Sequence, residues 1–206
     1  MVGQINRGSR LGEIIYDMCK QDDVKTIVEI GTWNGMGSTK CIYDAIIESG
    51  KTDYLVYSLE CSEEYYNLAV SSLPPLDNFN LLLGRVIDAD EVVDIDSCED
   101  RFFTEYGKDI QKRWLAEDVS NYNKVENVIG ILPEKIDLLI LDGGEFSSFA
   151  EFNRLKDRTK YFILDDINPI KNFKVSNIMR EDDSYEILFD VPNDRNGFLV
   201  SKKNNI

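Results

Sequence analysis

The sequence contains no histidine. That absence excludes Ser-His-Asp and Cys-His nucleophile chemistry and every imidazole metal ligand, leaving carboxylates, Lys and Tyr as available bases. Cysteine is scarce too, and Cys19, Cys41, Cys61 and Cys98 show no CxxC or other metal-ligand spacing. Reduced thiols in an intracellular protein are the expectation. No run is apolar for long enough to span a bilayer and no signal-peptide pattern opens the chain. A soluble, cytoplasmic protein without membrane insertion follows. Basic residues are outnumbered 23 to 38, for a net charge of −15. A repulsive field of that sign argues against a nucleic-acid partner. Repeats, low-complexity tracts and linkers are also missing, so the 206 residues are read as a single domain.

What is present is an alternation of short apolar runs with amphipathic stretches. The runs at 27–30, 54–59, 79–83, 136–141, 161–164, 185–191 and 198–202 read as strands. A polar arm and a helix carrying Leu11, Ile14, Ile15 and Met18 occupy 1–25. Further helices are expected from Ser38 to about Glu48, after Ser62 with Tyr65, Tyr66 and Ala69 on the buried side, after Ser147, and near 173–179. Strand–helix–strand alternation calls for an α/β, Rossmann-like, doubly wound sheet of seven strands. It would be mostly parallel, with an antiparallel hairpin at the C-terminus formed around the turn-rich 192–197 segment. The pattern loosens over 86–135. There one helix is expected to carry Phe102, Phe103, Tyr106, Ile110, Trp114 and Leu115 on one face, and a second to cover 125–132. This stretch is either a cap over the site or a helical pair packed on the sheet.

The chain is organised around 26–39, TIVEIGTWNGMGST, a strand running into a glycine-punctuated turn and a helix start. In open α/β sheets nucleotide-like ligands bind at that crevice, along the edge where the strands end. Glu29, Glu60, Asp142, Asp165 and Asp166 would converge on that edge from distant positions. Glu60, ending the second strand, suits the two ribose hydroxyls of a nucleoside. The glycines fall as G-x-x-x-G-x-G, unlike the G-x-G-x-x-G that seats a pyrophosphate on a helix N-terminus. Cys61 reads as packing rather than as a nucleophile. Trp33 either covers a ligand or packs under the helix.

VEIGTWNGMGST resembles motif I of the class I S-adenosylmethionine-dependent methyltransferases, and YSLECS, IDLLILDGG and the terminal hairpin fall where that family has its ribose acid, fourth strand and antiparallel last strand. The resemblance runs from about 26 to 202 and is weakest over 86–135. It implies that Glu29, Gly31 and Gly35 line the methionine end of S-adenosylmethionine, Glu60 the ribose, and the region from Arg85 through Val86 to Ile87 the adenine. The same frame adds Thr32, Trp33, Asn34, Ser38, Thr39, Cys61 and Asp142 to the cofactor set. A narrower resemblance is to metal-dependent O-methyltransferases of small molecules and sugars, on Asp142 and the LDD of 164–166. It implies that Asp142, Asp165 and Asp166 hold Mg²⁺ or Mn²⁺, with Asp142, Glu145 or Asp165 taking the proton. Gly144 departs from that pattern. The acceptor expected is a small molecule or a glycan hydroxyl. An NAD-dependent oxidoreductase and a non-catalytic nucleoside-binding or assembly module stay open as alternatives.

Overall fold

The structure, a computed structural model, describes residues 4–103 and 105–204. Residues 1–3 of the expected N-terminal arm lie outside the described residues. The chain runs α1 (Arg10–Lys20), β1 (Thr26–Ile30), α2 (Ser38–Ser49), β2 (Leu55–Glu60), α3 (Glu63–Ser72) and β3 (Phe79–Leu83). It continues with α4 (Lys108–Tyr122), β4 (Ile136–Leu141), α5 (Ser148–Leu155), β5 (Thr159–Asp165), α6 (Ile170–Glu181), β6 (Tyr185–Val191) and β7 (Phe198–Lys203). The seven strands form one sheet in the order β3-β2-β1-β4-β5-β7-β6. The first five are parallel; β7 runs antiparallel to both β5 and β6.

Period-2 alternation along the central strands explains why their apolar runs are nearly continuous, since both faces are covered. Ile27, Leu138, Ile140, Ile163 and Val200 share one core with Leu11 and Ile15 of α1 and Ile42 and Ile46 of α2. Val28, Leu139, Leu141, Phe162 and Leu199 face the other way, onto Phe152 of α5 and Val175 of α6. Local signals set the helix ends. Ser9 Oγ accepts from Gly12 N at the start of α1, and Ser62 Oγ from Tyr65 N at the start of α3. Gly50, at φ +65°, closes α2 in the left-handed conformation that suits glycine.

Three expectations are corrected. Phe102 and Phe103 lie in a 3₁₀ turn (Asp100–Phe103), and helix α4 begins only at Lys108, so the aromatics before it share no helical face with Trp114. Gly107, at φ +78°, separates the two. The second helix over 125–132 is reduced to a 3₁₀ turn at Ile129–Ile131, because Val128 N and Arg85 N bond across to form an isolated bridge with β3's exit. Tyr65 is 38% exposed rather than buried, and Ala69 alone in α3 is buried.

Candidate active site

The carboxyl ends of β1, β2, β4 and β5 open on a cavity of about 710 Å³. Its place follows from the sheet order, which reverses direction between β1 and β4 and leaves a crevice there. The loops after those two strands touch. At Gly31, φ +103°, an added Cβ would stand 2.3 Å from the backbone oxygen of Asp142, so only glycine permits the approach.

Of the residues expected at a cofactor, Gly31, Thr32, Trp33, Ser38, Glu60, Cys61, Arg85, Val86 and Asp142 line this cavity. Glu29, Asn34, Gly35 and Thr39 do not. Glu29 is fully buried under the loop, where its Oε2 accepts from Ser58 Oγ (2.5 Å) and Thr39 Oγ1 (2.7 Å). It braces α2 against β2, and burial raises its pKa. Asn34 Oδ1 caps Met36 N at 3.0 Å within the turn. Gly35 packs on α3, where a Cβ would meet Ala69 Cα and Leu73 Cδ1 at 3.1 Å.

Glu60 is 8% exposed, and both of its oxygens accept backbone N–H groups, from Trp33 (2.7 Å) and Ser62 (2.9 Å). A carboxylate has about four acceptor positions, so two remain for a ligand. Burial raises its pKa, with those N–H groups opposing. Trp33, at φ 49°, turns its ring to within 6.2 Å of the Tyr65 ring on the cavity wall. Arg85 lines the cavity, but its guanidinium is committed to Tyr122 O (2.9 Å), Val125 O (3.2 Å) and Ile87 O (2.7 Å), with Asp88 as its ion partner. It ties β3 to the end of α4. Cys61 is a thiol that burial holds far from ionisation.

Asp142, Asp165 and Asp166 do come together, each offering an oxygen within 4.8 Å of the others. They are not alone. Lys171 Nζ, from the first turn of α6, lies 2.7 Å from Asp142 Oδ1 and 3.3 Å from Asp166 Oδ2. Arg195, from the β6–β7 turn, donates to Asp165 Oδ2 at 2.9 Å and stands 3.8 Å from Asp166 Oδ1. Burial disfavours the Lys171 ammonium, but the three aspartates outweigh it and hold its pKa above the ordinary lysine value. Burial and the neighbouring Asp142 push Asp165 up. Glu145 is half-buried, with burial raising its pKa, and does not line the cavity.

Sequence reading missed a third wall. Trp114, Glu117, Asp118, Asn121 and Tyr122 recur at i, i+3, i+4, i+7 and i+8 on α4, and all five face the cavity. Gly144 makes room for them: a Cβ there would lie 2.9 Å from Asp118 Oδ2. Tyr122 donates to Glu151 Oε1 at 3.1 Å, while Glu151 Oε2 is buried without a hydrogen-bond partner. Burial pushes Asp118 to about 6 and Glu151 to about 7. The helical spacing on α4 was the available signal, obscured by assigning Trp114 to an apolar stripe with Phe102.

No family model and no curated relative matches the chain. Solved structures do. An S-adenosylhomocysteine-bound methyltransferase of Podospora anserina, PaMTH1, aligns with TM-score 0.59 and 14% identity over 96% of this chain and 80% of its own. An O-methyltransferase from Bacillus cereus in complex with S-adenosylhomocysteine aligns at 0.58 and 12%, over 98% and 84%. The O-methyltransferase TomG of Streptomyces achromogenes, bound to S-adenosylmethionine, aligns at 0.54 and 11%, over 95% and 80%. At such identities the likeness is one of architecture, and no helix among the described residues is long and apolar enough to cross a membrane. The chain has the Rossmann-like fold of the class I methyltransferases.

Proposed function

We propose that this protein transfers a methyl group from S-adenosylmethionine to a hydroxyl of a small molecule or sugar. The observation carrying this reading is that one cavity joins Glu60, with two acceptor positions spare at the end of β2, to the aspartates ending β4 and β5. In this reading Glu60 accepts the ribose hydroxyls, Trp33 and Cys61 flank the nucleoside, and Ser38 and Asp142 stand toward the methionine end. The acceptor oxygen attacks the methyl carbon in line as the carbon–sulfur bond breaks, releasing S-adenosylhomocysteine. The hydroxyl proton passes to Asp165, which lines the cavity. Such a displacement asks mainly for alignment of the two reactants.

The sheet also speaks against an NAD-dependent oxidoreductase. A dinucleotide-binding sheet continues past its fifth strand with a parallel sixth, whereas here antiparallel β7 occupies that place. A nucleoside-binding module without activity would bind the cofactor and methylate nothing across a panel of hydroxylated acceptors. Titration calorimetry with S-adenosylhomocysteine tests the assignment. The parent is expected to bind one equivalent, and Glu60→Ala to weaken it at least about 10-fold, as for loss of hydrogen bonds to a charged group. No binding by the parent ends this reading; unchanged binding by the variant ends the ribose assignment.

A further inference from the structure

We propose that Lys171 and Arg195 together stand in for a divalent cation at the aspartate cluster, so that the site works without a metal. This rests on the methyl-transfer reading for the reaction it serves, though the charge argument is independent of it. Three carboxylates with oxygens within 4.8 Å of one another are a donor set suited to Mg²⁺ or Mn²⁺. The surrounding residues do not fit one. The Lys171 ammonium lies between the carboxylates of Asp142 and Asp166, at 2.7 Å and 3.3 Å. A metal bridging the same two carboxylates would meet that ammonium at close range, and the Lys171 side chain, 7% exposed, has little water around it to screen the repulsion.

Nor is Lys171 free to swing out. Its side chain is only 7% exposed. The next residue, Asn172, donates from Nδ2 to Leu141 O (3.1 Å) and Asp165 O (2.6 Å), the last residues of β4 and β5. Those bonds pin the first turn of α6 across the two strand ends that carry the aspartates. Lys171 is therefore held where its charge is needed. With Arg195 it supplies two positive charges against three negative ones, the same balance a divalent ion would leave. The division of labour is legible in the geometry. Arg195 lines the cavity and presents positive charge to an acceptor. Lys171 does not line it; it is a positioning residue that holds Asp142 and Asp166 in place.

Mn²⁺ binding, followed by electron paramagnetic resonance on chelator-treated protein, is the test, with Mn²⁺ itself as the probe. The parent is expected to show no stoichiometric site below the millimolar range. Lys171→Met removes one cation from among three carboxylates and is expected to bind one Mn²⁺ at least about 10-fold more tightly than the parent. Micromolar, stoichiometric binding by the parent overturns the proposal whatever the variant does, so the test survives a variant that fails to fold. A folded Lys171→Met protein with the parent's weak affinity overturns the role of Lys171. Arg195→Met, at the exposed side of the cluster, supplies a second comparison with the same expectation. S-adenosylhomocysteine binding measured on the same samples reports the methyl-transfer reading separately, because its loss leaves the Mn²⁺ readout intact.

Discussion

Asp142, Asp165 and Asp166 share a cavity with Glu60, Asp118 and Glu151, and the two sets are treated differently by the fold. The three aspartates are answered by side-chain cations, at 2.7 Å from Lys171 and 2.9 Å from Arg195. Among the described residues no ion pair reaches Glu60, Asp118 or Glu151. Glu60 has backbone N–H groups, Glu151 has a tyrosine hydroxyl and one bare oxygen, and Asp118 is raised to about 6 by burial and then by the neighbouring Glu117. A carboxylate matched by a buried cation has its charge and its lone pairs committed. One met by a few neutral donors keeps lone pairs for a ligand. The first set is thus held in place by its cations, with Asp165 pushed up to about 7 and facing the cavity as the proton acceptor of the proposed reaction, and the second is where a ligand's other N–H and O–H groups can be received.

The largest test of that contrast removes the contact between the two halves. Gly31→Ala combines a positive φ with a clash against the backbone of Asp142, so a destabilisation of about 5 kcal/mol is expected in urea unfolding, with cofactor binding lost as well. Lys171→Met strikes the matched set alone. Breaking a buried pair from one side costs about 3–5 kcal/mol, and added Mn²⁺ is expected to restore part of the melting temperature.

Glu151→Gln probes the unmatched set, and here the sign reverses. Burial holds the Glu151 carboxyl protonated up to about 7 in the folded chain, whereas an unfolded glutamate ionises near 4.3. Between those values the unfolded state sheds its proton first, so the parent loses stability as pH rises from about 4 to about 7. The variant is expected to lack that part of the decline and to be up to about 3 kcal/mol more stable at pH 8 than the parent, relative to pH 4. Melting curves across that range check it. Gly144→Ala is the mildest. Its Cβ meets only the ends of the Asp118 and Ser147 side chains, so about 1 kcal/mol is expected, with the measurable effect a shift in cofactor affinity as α4 is pushed outward.

Strands were legible because each is a short apolar run bounded by polar or turn residues, whether buried on both faces like β4 or partly exposed like β3 and β6. The runs at 79–83, 136–141 and 185–191 coincide with β3, β4 and β6 to the residue. The stretch 86–135 was not, because its order comes from caps and cross-links rather than from period. Arg85 reaches carbonyls at 122 and 125, and Gln111 Nε2 reaches Phe102 O at 2.8 Å. Such bonds leave no repeating mark in a sequence. The same holds within the site. Glu60 and the aspartates announced themselves by ending apolar runs, while Lys171 and Arg195 sit in a helix and a turn where a basic residue reads as ordinary surface. Glu29, in the first strand, and Thr39, in the first turn of the next helix, are expected at the cofactor, and the fold buries both beneath the loop.

By itself, then, the order of residues determined the architecture and the edge of the sheet at which a ligand would sit, because apolar period and strand-ending acids are local properties of the chain. Whether those acids are open to a ligand or already neutralised was decided only by the tertiary structure. Lys171 and Arg195 come from α6 and the β6–β7 turn, and only the packing of both against the ends of β4 and β5 brings their charges within bonding distance of the aspartates. Electrostatic pairing depends on distance and burial, and neither is a property of the sequence read one residue at a time.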